Sequence, residues 1–141
     1  MKKDLRVLYL DRENIVRCGF GSIYHASVIT GPTNLIQKIV YYLLTETGSN
    51  YFSPTAGSAF AAIDSVNWSP DNQNVIKASI TNSILDIENK IKLSQIQNKL
   101  EPEESLNKLQ VTNIEYEASE YAWRVTLEVT NLLNQTFTVN I

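Results

Sequence analysis

Residues 121–130 read Tyr121-Ala122-Trp123-Arg124-Val125-Thr126-Leu127-Glu128-Val129-Thr130, and their alternation decides the fold class. Tyr121, Trp123, Val125, Leu127 and Val129 take every second position, with small, polar or charged residues between them. Successive side chains of a strand point to opposite faces, so this pattern is a strand with one face on a core. Upstream, Leu109, Val111 and Ile114 mark a strand ending near Glu117, and Ala118-Ser119-Glu120 supplies the turn. Downstream, residues 131–135 turn the chain again, and Phe137, Val139 and Ile141 alternate to the last position. A three-stranded antiparallel meander over 108–141 follows, with residues 5–10 as a candidate fourth strand.

Ahead of the meander the apolar period changes from 2 to about 3.6. Leu35, Ile36, Ile39, Val40, Leu43 and Leu44 form one helical stripe, preceded by Gly31-Pro32-Thr33-Asn34 with Thr33 or Asn34 as the expected N-cap. Gly48 is the expected terminator, since glycine enters the left-handed conformation readily. A short element opens at Ser53-Pro54 and carries Ala59, Phe60, Ala61, Ala62 and Ile63, with glycine and alanine allowing close backbone approach. After a loop over 64–74, Ile76, Ile80, Ile84, Ile87 and Ile91 share one face of a long helix. Leu93, Ile96 and Leu100 lie on a rotated stripe, and Pro102 is the expected stop. The fold class is thus α+β, helices packed against a small, mainly antiparallel sheet, in a single domain over 1–141. Its parts are an N-terminal strand and irregular segment (1–31), a helical part (32–102) and the meander (108–141).

A length of 141 residues suffices for one core without staples, and 43% hydrophobic with 19% charged residues is ordinary for a globular domain. The net charge of −3 gives no basic surplus, so no nucleic-acid partner is expected. Cys18 is alone, which precludes an intrachain disulfide or a cysteine-based zinc site. Met1-Lys2-Lys3-Asp4 opens no signal peptide, and the densest apolar patch, 35–44, is too short to span a bilayer. No membrane partner is expected.

Little in the chain is arranged for chemistry. His25 is the single histidine and could pair with Ser22 or Ser27, as many soluble chains would allow. One histidine and one cysteine are too few for a transition-metal site. Asp86 and Glu88 lie two apart on a helix and face different ways. Glu101, Glu103 and Glu104 cluster at the helix exit, either as a solvated acidic turn or as a contact with a partner. Trp68, before Ser69-Pro70, is either loop or interface anchor, and Tyr41, Tyr42, Tyr51 and Phe52 read as core plus rim. Neither an enzyme nor a cofactor is expected.

The final strand, Thr136, Phe137, Thr138, Val139, Asn140 and Ile141, has no Pro, no Lys and no following tail to cover it. Exposed edges are normally blunted by charge, proline or a bulge. An unguarded strand therefore either lies inside the sheet or pairs with another chain, whose groups would meet those near Ile141.

The order of these features resembles the baseplate wedge family of contractile phage tails, often labelled lysozyme-like or sheath initiator. The likeness rests on the first helix and its turn, Leu44-Thr45-Glu46-Thr47-Gly48, then on Ser53-Pro54-Thr55-Ala56-Gly57-Ser58, the long helix, Glu101-Pro102-Glu103 and the closing sheet. It covers about three quarters of the chain, from Leu35 to Ile141. Glu103 stands where the family has arginine, which puts the family's charged contact in doubt. Ser49 follows Gly48 where family members often have an acidic residue. The resemblance implies a structural, non-enzymatic protein of the virion, assembled in the host cytoplasm. Its implied partners are baseplate wedge proteins, met through Glu101 and Pro102, and tail sheath protein, met through the edge strand 136–141 in a six-fold array. Tail tube or hub proteins are further implied neighbours. The family label also invites the alternative of a peptidoglycan-degrading tail lysozyme, for which no sugar cleft with two spaced carboxyls can be placed.

Overall fold

A computed structural model describes residues 4–5, 8–10, 16–18, 28–63 and 69–141, with side chains over 29–63 and 69–141. Ser22, His25, Ser27 and Trp68 lie outside the described residues, as does the side chain of Cys18. The elements run β1 (Asp4–Leu5), β2 (Leu8–Leu10), β3 (Val16–Cys18), β4 (Val28–Ile29), α1 (Pro32–Leu44), α2 (Phe60–Ile63), α3 (Gln73–Gln97), a 3-10 turn (Pro102–Glu104), β5 (Leu106–Glu117), β6 (Ala122–Asn131) and β7 (Thr136–Asn140). The class is α+β, as the change of period requires.

Three antiparallel strands in the order β5-β6-β7 form the main sheet. The described residues of the candidate fourth strand, Leu5 and Leu8–Leu10, do not join it. β1 pairs with β4, and β2 pairs with β3, as two separate two-stranded sheets.

The meander keeps its apolar face through two irregularities in β5. Leu109 and Val111 pair with Val129 and Leu127, whereas Ile114 and Tyr116 pair with Val125 and Trp123. Ile114 stands three positions after Val111, so strict alternation would send it to the opposite face. The register shift between Val111 and Asn113 absorbs one residue and restores the face. Thr112 Oγ1 donates to the Thr126 carbonyl at 3.2 Å there. A second shift, between Leu106 and Lys108, does the same for Leu106 and Leu109.

Ile76, Ile80, Ile84, Ile87 and Ile91 are all buried, as their spacing predicts, and they pack with Leu35, Ile39, Val40 and Leu43 of α1 and with the inner face of β6. Isoleucine is not a strong helix former, so this burial rather than propensity holds α3. Leu93 and Ile96 do not join the core. They are exposed, Ile96 to 81%, because the helix ends at Gln97 before that stripe finds a partner. Pro102 is not the stop, since Asn98 is already extended.

Both ends of α1 differ from expectation. Its N-cap is Gly31, at φ +65°, with Pro32 in the first helical position, so Thr33 and Asn34 lie inside the first turn. Its last residue is Leu44, because Thr45 is pulled into extended geometry and accepts the Ser58 N–H at 2.9 Å. Gly48 falls in the loop beyond, and the second helix begins at Phe60 rather than near Pro54. The expected close approach occurs at Gly57, where a Cβ would stand 2.4 Å from the Thr45 carbonyl oxygen. Tyr51 and Phe52 are not core. They are 90% and 94% exposed and pack edge to face at the loop tip.

Candidate functional site

The hydrogen bonds of β7 alternate in direction. Ile141 and Val125 exchange both bonds, at 2.8 and 3.0 Å, and Asn131 donates to the Gln135 carbonyl at 3.1 Å. The register between those points pairs Leu127 with Val139 and Val129 with Phe137. Bonded pairs recur every second residue in an antiparallel ladder, so Gln135, Phe137, Val139 and Ile141 turn their backbone groups toward β6. Thr136 and Thr138 turn theirs outward. The groups of Ile141 itself are thus met within the subunit, and the outward positions lie earlier in the strand. Among the described residues no strand pairs with that outer edge.

The two edges of the sheet differ. The β5 edge carries both register shifts, Lys108, Glu115 and Glu117, all features that oppose pairing. In addition, Gln95 Oε1 accepts the Leu106 N–H at 2.6 Å and Gln95 Nε2 donates to the Leu106 carbonyl at 3.1 Å, filling the place of a neighbouring strand. β7 is regular in register and has neither charge nor proline. Its inner face carries Val139, fully buried, with Phe137 and Ile141 half-buried against the core, and its outer face carries Thr136 and Thr138, both exposed.

The acidic turn is only partly solvated. Glu101 and Pro102 are exposed, as a contact with another molecule needs, but Glu104 is 3% exposed. Its Oε1 accepts the Gly31 N–H at 2.9 Å, so a carboxylate remote in sequence does the work of an N-terminal cap on α1. The positive end of the helix dipole favours a negative group there. Glu104 Oε2 is buried without a hydrogen-bond partner among the described residues. Glu103 lies over the same glycine, where an added Cβ would sit 3.4 Å from its Oε2.

Asn131 joins this turn to the start of β7. It is fully buried, and its Nδ2 donates to the Glu103 carbonyl at 3.2 Å and to Gln135 Oε1 at 2.8 Å. Its Oδ1 accepts the N–H groups of Leu133 and Gln135 at 3.1 and 2.9 Å. The Leu132 N–H completes the tie to the Ser105 carbonyl at 3.0 Å. The sequence places Asn131 in the turn and Glu104 in an acidic turn that is either solvated or in contact with a partner, whereas Glu104 is buried and tied to Gly31 of its own chain. A signal for Asn131 was present, because the alternation of 123, 125, 127 and 129 continues to 131 and so puts a polar side chain on the core face. Nothing local marks Glu104, whose partner is 73 residues away.

The two carboxylates singled out on the long helix are each held by one lysine. Asp86 pairs with Lys90 at 2.7 Å and Glu88 with Lys92 at 2.5 Å, each along α3. Among the described residues no three His, Cys, Asp or Glu side chains converge, and no helix is long and apolar enough to cross a membrane. Compared with protein-family models and with curated proteins, the chain finds no match.

Proposed function

We propose that this chain is a structural baseplate protein of a contractile phage tail, on which the tail sheath starts to assemble by adding a strand to the outer edge of β7. The observation that carries the reading is the contrast between the two sheet edges, β5 shifted, charged and filled by Gln95, β7 regular and uncharged. Proteins leave an edge in that condition where another chain completes it. The family resemblance supplies the identity of that chain, and the exposed Glu101-Pro102 turn is the surface assigned to wedge proteins.

Main-chain bonds contribute about 0.5–1.5 kcal/mol each, so four of them give on the order of 2–6 kcal/mol per joint. Association costs at least about 4 kcal/mol in lost freedom, so one joint is weak. A six-fold array makes it durable, because later joints form at high effective concentration.

Thr138→Pro tests the reading. Proline belongs only at edge positions whose N–H faces away from the ladder, which is where Thr138 stands. The variant should fold and enter baseplates, and sheath should fail to start on them in electron micrographs. Normally sheathed tails would refute strand addition at β7. Clearing of cell walls by the purified protein, lost in Glu101→Gln, would favour the hydrolase alternative instead.

A further inference from the structure

We infer that the exposed face of α3 is a helix–helix seam, and that its occupant is the α3 of a second copy of this chain, packed parallel and in register. The inference goes beyond strand addition at β7 and stands on a different surface.

α3 is apolar on two opposite sides. The side that carries Ile76, Ile80, Ile84, Ile87 and Ile91 faces the core. At about 100° per residue, Val75, Ala78, Leu85, Leu93 and Ile96 fall half a turn away from it. Val75 is 67% exposed, Leu85 50%, Leu93 63% and Ile96 81%, so this side of the helix stands open. Asn82 and Asn89, exposed like Ala78, complete the line. Its positions recur every three or four residues, a narrow stripe about 32 Å long at about 1.5 Å per residue. A stripe of that width and period fits a second helix lying along it.

The two asparagines select the occupant. An apolar partner helix would bury both amides without hydrogen bonds, which is costly. A copy of α3 set parallel and in register brings Asn82 to the partner's Asn82 and Asn89 to the partner's Asn89, where the amides bond each other. Asparagine within an apolar seam fixes register and strand number in this way. Val75, Leu85 and Ile96 likewise meet their own copies, apolar on apolar.

Charge selects the direction. In the parallel pair the flanking residues meet as Thr81 with the partner's Asp86 and Glu88 with the partner's Leu93, so no like charges are opposed. An antiparallel pair that matches the asparagines sets Asn82 against the partner's Asn89. Asp86 then lies beside the partner's Asp86, and like charges so placed oppose association. Lys90, which pairs with Asp86 at 2.7 Å, is drawn toward the Gly57 carbonyl and stays outside the seam. A stable interface buries about 800 Å² on each partner. One helix face about 32 Å by about 10 Å is smaller. The dimer is therefore weak and forms at high concentration.

Sedimentation velocity of the full chain over a micromolar-to-millimolar series tests this, beside Leu93→Glu with its fold monitored by circular dichroism. The expected result is a wild-type shift from monomer to dimer that folded Leu93→Glu lacks. Ile96→Cys on a Cys18→Ser background should cross-link to its own copy under mild oxidant, since parallel register brings the two cysteines within disulfide range. Should Leu93→Glu fail to fold, the cross-link decides alone. A wild type that stays monomeric, a dimer that persists in folded Leu93→Glu, or no cross-link at 96 would each overturn the inference. So would a cross-link between Ile96→Cys and Val75→Cys chains in a mixture, which requires the antiparallel pair.

Discussion

Asn131 shows how one side chain can set a surface it does not occupy. Its amide, itself fully buried, spends both ends on the turn that launches β7 and on the Glu103 carbonyl. Asn131→Ala would strand two N–H groups and should cost about 2–3 kcal/mol, read as a lower urea midpoint. Gly57→Ala should cost at least about 2 kcal/mol, from a left-handed backbone and a collision with the Thr45 carbonyl. Tyr42 gives a pH signature. Burial, and secondly its neighbour Tyr41, push its hydroxyl above the ordinary value of 10.0. The folded state therefore holds that proton longer than the unfolded chain does. The stability this contributes is complete below pH 10 and is lost as pH rises from there through the folded value. Denaturant midpoints between about pH 9 and 11.5 should fall less steeply in Tyr42→Phe than in the parent.

At the scale of elements, legibility followed the range of the forces. The isoleucine face of α3 and the alternation of β6 could be read because each records one long element packing against one core. Helix ends could not. α1 is capped by Glu104 from 73 residues further along the chain and released at Thr45 by a bond to Ser58, and neither partner is visible in a local window. Tyr121 looked like the first inward residue of β6, yet it is 86% exposed, at φ +52° in the turn. The composition of β7 left open whether it lies inside the sheet or at an edge, and among the described residues no strand lies beyond it. The bulge at Thr112 offers a test of the face argument. Deleting Thr112 removes the extra residue and leaves a strictly alternating strand, so Leu109, Val111, Ile114 and Tyr116 should all stay inward and a cooperative thermal transition should persist. Ile87→Ala, at a fully buried position of α3, should cost about 2–5 kcal/mol by chemical denaturation.

For the whole molecule, one hydrogen-bonded turn ties the start of α1 to the start of β7. Residues 101–105 hold α1 through Glu104 and the start of β7 through Asn131, so hydrogen bonds link the exposed Glu101-Pro102 corner to the turn before β7. Hydrogen exchange at single amides measures the central claim most directly. In dilute free protein the Thr138 N–H should exchange fast and the Val139 N–H slowly, since only the second faces β6. In assembled tails Thr138 should become as protected as Val139. A Thr138 amide already protected in the dilute protein, or still unprotected in sheathed tails, would contradict strand addition at β7.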